Sequence, residues 1–197
     1  MQKRDVLRNV GMVAVLSVSV SVFLNILLLR MNLPQYSERY QEASAILYSP
    51  PFWQQIVLNG LAAPVVEELL FRGFLFRVLR KWTAFPGAML ISAVIFGAYH
   101  GNLVQFVYAT ICGMLLAYFH EKYGTVIACI VAHVVMNTVA ILFTQWGVFA
   151  QLMKSGILTI LVMLVCGVCG VAMFCRLQKM DVTKVLKMYC KEVGNDI

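Results

Sequence analysis

The feature that most limits the fold is the recurrence of apolar runs of membrane-spanning length, most of them closed by basic residues. The run at 10–29 lies between Arg8 and Arg30, and the run at 52–79 ends among Arg77, Arg80 and Lys81. The run at 103–119 stops at His120, Glu121 and Lys122, and the run at 157–174 leads to Arg176 and Lys179. Two more, one from Pro86 to near His100 and one at 126–143, bring the expected number of spans to about six. A bilayer core requires about 20 apolar residues of a helix, and lipid offers no partner to an open backbone, so such runs fold as helices. The expected fold is therefore all-α, a polytopic transmembrane helix bundle of about six spans. With 61% hydrophobic residues and a mean hydropathy of +0.81, the 197-residue chain leaves no room for a separate soluble domain. The first run exceeds the apolar core of a signal peptide and no small-x-small cleavage site follows, so it reads as a retained helix.

The formal net charge of +7 could point to nucleic acid. The basic residues instead cluster at the ends of apolar runs, the pattern of topology signals and of contacts with anionic membrane lipid, and nucleic acid is excluded as a partner. Lys3, Arg4 and Arg8, the 77–81 junction, the 121–122 turn, and the tail with Arg176, Lys179, Lys184, Lys187 and Lys191 would all lie on one side after six crossings. That places both termini in the cytoplasm. Residues 31–51, with Pro34, Pro50, Pro51, Tyr36, Tyr40 and Tyr48, read as a loop carrying a short interfacial helix. The six cysteines do not form a secreted disulfide framework, and Cys166 and Cys169, inside an apolar helix, read as packing residues.

Against this background the stretch Glu67-Glu68-Leu69-Leu70-Phe71-Arg72-Gly73 stands out, because charges at membrane depth cost several kcal/mol unless they are paired and face inward. On a helix, Glu68 and Arg72 are four apart and share a face, whereas Glu67 lies about 100° round the axis. Glu68 can then be held ionised by Arg72, and Glu67 is left for general-base work, taking a proton from water while its neighbour organises the surroundings. A purely structural ion pair would use the same Glu68 and Arg72. Pro64 removes the backbone bond to the Gly60 carbonyl, so a kink is expected there.

Three further polar groups sit at membrane depth: His100 at the end of the third run, and His133 with Asn137 in the fifth. At about 1.5 Å per residue from the cytoplasmic ends, these groups and Glu67 come to similar depths. Phe96 with His100, and His133 with Asn137, are four apart and share helix faces, so three helices can aim polar groups into one cavity. Interhelical hydrogen bonding would also account for a single such histidine. A metal site built from Glu67, His100 and His133, holding one divalent ion such as zinc, is an alternative, although His-Glu-x-x-His is absent.

Glu-Glu-x-x-x-Arg at Glu67, Glu68 and Arg72, Phe-x-x-x-His at Phe96 and His100, and His-x-x-x-Asn at His133 and Asn137 together resemble the CPBP family. That family includes CAAX prenyl endopeptidases of the Rce1 type and bacterial bacteriocin-processing and immunity proteins. The resemblance divides the chain into a first helix and interfacial loop (1–51), a catalytic core (52–145), and a last helix with a basic cytoplasmic tail (146–197). It implies an intramembrane endopeptidase of the bacterial cell membrane acting on a peptide or membrane-anchored protein substrate. Glu67 and His100 would hold the attacking water, His133 and Asn137 would stabilise the oxyanion, and Glu68, Arg72 and Phe96 would support them, with no metal cofactor. The rival readings are bacteriocin self-immunity without proteolysis, and a membrane transporter or scaffold in which the same residues form a structural network.

Overall fold

The computed structural model describes residues 3–180, with side chains from residue 9 onward; Lys184, Lys187, Lys191 and Cys190 lie outside the described residues. Every regular element among the described residues is helical. Helix α1 is Lys3–Arg30, and a short 3₁₀ turn at Leu33–Tyr36 leads to α2, Glu38–Tyr48, whose start is capped by Ser37 accepting from the Tyr40 amide. Helix α3 runs without a break over 52–82. It is followed by α4 (Phe85–Tyr99), α5 (Leu103–Tyr123), α6 (Val126–Gln145), α7 (Val148–Lys154) and α8 (Gly156–Lys179). Short connections make consecutive helices antiparallel: α5 is capped by Asn102 and closed at Gly124, and α6 begins at once with Thr125 accepting from the Ile127 amide.

Among the described residues four helices are long and apolar enough to cross a membrane, at Asn9–Arg30, Leu103–Tyr123, Val126–Gln145 and Gly156–Lys179. Helix α4 is apolar but has only 15 residues, so at about 1.5 Å per residue it falls short of the hydrocarbon thickness. Helix α3 departs from α-geometry in two wide, π-type stretches, Gln55–Ala62 and Leu69–Phe76, on either side of Ala63–Glu68. The kink expected at Pro64 is thus taken up by widened turns, and these change which carbonyl the proline orphans. Ala63 N–H pairs with the Leu58 carbonyl, five residues back, so in this register residue 64 would have served Asn59 rather than Gly60.

The interior is built from α1, α5 and α6, where Val13, Leu16, Leu116, Phe119, Cys129 and Ala132 pack together with Leu177 of α8. Helix α7, which the sequence did not announce, covers α1 through Phe149 and Leu152 against Val22 and Ile26. Cys166 packs beside this second cluster, and the five described cysteines are all free. The most extensive helix pairing, α4 on α5, depends on Gly97: a Cβ there would overlap Thr110 Oγ1 and lie 2.7 Å from the Phe106 carbonyl. The outer faces of α3 and α8 expose Leu58, Leu61, Leu69, Leu70, Ile157, Leu161, Leu164 and Val168. An apolar belt of this extent is a liability in water and the ordinary surface of a protein in lipid.

Candidate functional site

The two adjacent glutamates occupy different environments. Glu68 is wholly buried and its Oε1 accepts from Arg72 Nη1 at 2.7 Å, the contact that their four-residue spacing predicts. Arg72, also wholly buried, donates from Nη2 to the Gly113 carbonyl on α5 at 3.1 Å. Gly113 is what permits this, since a Cβ would stand 3.0 Å from Arg72 Nη2 and 3.2 Å from Ala93 Cα. The guanidinium lies 4.5 Å from the centre of the Phe96 ring, so the cation meets a carboxylate, a carbonyl and an aromatic face, while its Nε is buried without a hydrogen-bond partner among the described residues. Glu67 is partly open, with 17% of its side chain exposed, and borders a cavity of about 510 Å³.

Two further helices, α4 and α6, bring the other sequence-predicted residues to that cavity. His100, at the end of α4, lines it and has its Nδ1 2.9 Å from the Phe96 carbonyl. His133 on α6 lines it as well and bridges the two acids, with Nδ1 2.8 Å from Glu68 Oε1 and Nε2 3.6 Å from Glu67 Oε2. Asn137, one turn on, donates from Nδ2 to the Asn59 carbonyl at 3.0 Å, the carbonyl that Pro64 leaves without an amide in the widened turn. Phe96 is the common packing surface, meeting His100 edge-on at 5.1 Å and His133 at 5.7 Å. Glu67, His100, His133 and Asn137 therefore share one cavity, while Glu68 and Arg72 lie behind it.

The remaining walls come from residues that the sequence reading did not assign to the site. Asn25 of α1, and Gln105 and Tyr108 of α5, add polar groups, and Tyr108 Oη is 2.8 Å from Ser21 Oγ. An amide inside the first apolar run was the available signal for Asn25. Helix α2 closes one side with Tyr40, Ser44, Leu47 and Tyr48, the last held weakly to Thr144 at 3.4 Å. Burial raises the Tyr48 phenol above its ordinary range, with the Tyr40 hydroxyl adding to the shift and the Thr144 bond opposing it. Among the described residues no three His, Cys, Asp or Glu side chains are grouped as a metal ion would require.

Residues 49–139 match the family model of type II CAAX prenyl endopeptidase Rce1-like proteins. The Bacillus subtilis (strain 168) protein named "Putative membrane peptidase YdiL" is 31% identical over 106 residues, 54% of this chain and 43% of that protein. An Escherichia coli protein named "Uncharacterized 24.3 kDa protein" is 27% identical over 147 residues, 70% of this chain and 66% of its own length. The chain thus spans less than half of the first relative and just under two thirds of the second. No solved structure matches. The family match encloses all seven residues of the cluster, from Glu67 to Asn137, and over that stretch, with its three ordered motifs, this membrane protein resembles the Rce1-like proteins of the CPBP family.

Proposed function

We propose that this chain is an intramembrane endopeptidase that hydrolyses a peptide bond of a peptide or membrane-anchored protein with a water activated by Glu67. The observation that carries the reading is the convergence of Glu67, His100, His133 and Asn137 on one cavity, with the Glu68–Arg72 pair sealed behind it. A carbonyl oxygen only accepts, so His100 donates to Phe96 from Nδ1, and in the neutral form that this role requires the lone pair is on Nε2. That nitrogen accepts one hydrogen of the water while Glu67 accepts the other. As the water oxygen attacks the peptide carbonyl, its proton passes to Glu67, which then delivers it to the departing amine.

Stabilisation of the tetrahedral oxyanion is assigned to Asn137 and His133. Asn137 uses one amide hydrogen on Asn59 and retains a second. His133 has Nδ1 2.8 Å from Glu68 Oε1, and its Nε2, 3.6 Å from Glu67 Oε2 and at the cavity wall, is the second group assigned to the oxyanion, a role that requires the ring to carry both protons. Such fixed donors in a site shielded from water offset developing charge without reorganising. The bacterial cell membrane, with both termini cytoplasmic, is the setting proposed.

The test is a purified, lipid-reconstituted protein assayed on a library of quenched fluorescent apolar peptides. Glu67→Gln keeps the shape and loses the proton acceptor, and the expected result is a fall of about 10²-fold or more in turnover with folding intact. Turnover near that of the unsubstituted protein would remove Glu67 from the role of base.

A further inference from the structure

A second cavity, of about 380 Å³, lies at the other end of the bundle, between Leu69, Gly73, Phe74, Arg77, His120 and the 124–126 turn. Helix α5 borders the Glu67 cavity with its first half, at Val104 and Cys112, and this one with its last turn. We propose that this second cavity binds the headgroup phosphate of an anionic phospholipid, a role independent of the peptidase reading.

Helix α6, 20 residues long, begins here. Thr125 Oγ1 accepts from the Ile127 amide at 3.2 Å, which leaves the amides of Val126 and Ala128 without an intrahelical acceptor at the positive end of the helix dipole. His120 supplies a separate pointer to a ligand. It is only 8% exposed, it borders the cavity, and its ring nitrogens have no hydrogen-bond partner among the described residues. Its ring stands edge-on to Phe76 at 5.3 Å, and this largely buried imidazole, without a protein partner for its nitrogens among the described residues, lines the cavity. Arg77 is exposed and forms no ion pair among the described residues, whereas Arg80 is engaged by Glu121 at 2.8 Å. Among the described residues no carboxylate lines the cavity to compete for these groups.

The apolar wall identifies the source of the phosphate as a lipid. Leu69 and Phe74, 51% and 67% exposed, continue directly into the lipid-facing strip of α3 at Val65, Val66 and Leu70. A headgroup seated between Arg77, His120 and the α6 amides can thus lay an acyl chain along α3. Gly73 keeps the space open: a Cβ there would meet only the Glu68 carbonyl, at 3.7 Å, so a larger side chain would project into the cavity. This end of the bundle carries the basic residues that direct it to the inner leaflet, where anionic lipids concentrate.

The experiment uses the full chain in detergent with added phosphatidylglycerol, phosphatidylcholine or inorganic phosphate, read by thermal stability and by lipid retention in native mass spectrometry. Phosphatidylglycerol is expected to be retained and to raise Tm, phosphatidylcholine much less, and phosphate little. Arg77→Gln should weaken phosphatidylglycerol binding about fivefold. Gly73→Leu, which fills the cavity, and His120→Phe, which keeps a ring against Phe76, should abolish retention. Equal retention of the two lipids, or unchanged phosphatidylglycerol binding in Arg77→Gln and Gly73→Leu, would overturn the proposal. A full stability shift from phosphate alone would overturn the lipid assignment in favour of a small-anion site.

Discussion

Arg72→Met offers a direct probe of how the site is held together. The substitution keeps the volume of the side chain and removes the cation 2.7 Å from Glu68 Oε1, in a place where both partners are fully buried. It also removes the donor to the Gly113 carbonyl and the contact with the Phe96 face. Stranding one member of a buried ion pair costs about 3–5 kcal/mol, mostly as the penalty of a buried charge without a partner. His133 Nδ1, 2.8 Å from the same carboxylate oxygen, remains to share that charge, so the loss is expected near the lower figure. The double variant Glu68→Gln with Arg72→Met removes both charges and should recover part of the loss, giving a coupling energy of about 1 kcal/mol or more. Stability would be read by reversible unfolding in mixed micelles titrated with a denaturing detergent. A single-variant loss below about 1 kcal/mol, or strictly additive effects in the double variant, would refute the picture of a buried, interdependent pair.

Asn137→Ala leaves the Asn59 carbonyl without a donor in the widened turn, and should cost about 1–3 kcal/mol of stability as well as lowering kcat; unchanged stability would show that another group satisfies that carbonyl. Peptide cleavage is expected to survive exhaustive chelation, checked by elemental analysis and assay. Stoichiometric zinc whose removal stops activity and whose return restores it would recast Glu67, His100 and His133 as ligands. Cysteine labelling in intact cells should place the N-terminus and the region beyond Lys179 on the same, cytoplasmic side, and labels on opposite sides would refute six crossings.

The positions of the helices were legible because apolar length and basic ends are local properties, and α1, α5, α6 and α8 appear where the runs at 10–29, 103–119, 126–143 and 157–174 predict them. Helix α7 was not legible, since Val148–Lys154 is short and mixed in character, and only its packing on Val22 and Ile26 makes it an element. The wide turns of α3 were hidden for a different reason. Pro64 signals that some carbonyl is released, yet which one depends on whether the helix counts four or five residues, and the Asn137 side chain that receives it comes from another helix. In the cluster itself, helical spacing gave the shared faces of Phe96 with His100 and of His133 with Asn137. Spacing could not show that His133 turns one nitrogen to each glutamate, because that depends on the distance between α3 and α6.

That bridging histidine underlies the separate roles proposed for the adjacent carboxylates. A group that fixes geometry needs fixed partners, and Glu68 has Arg72 and His133 on a single oxygen, buried from the cavity. A group that receives and releases a proton needs access to the reacting atoms and a neighbour whose interaction changes with the transfer. Glu67 alone of the two has that access, and at 3.6 Å its link to His133 Nε2 is long enough to yield when substrate enters. Joining the two acids through one imidazole makes the position of the proposed base depend on the buried pair. Loss of Arg72 should therefore be felt at Glu67 even though the two side chains lie on different faces of α3.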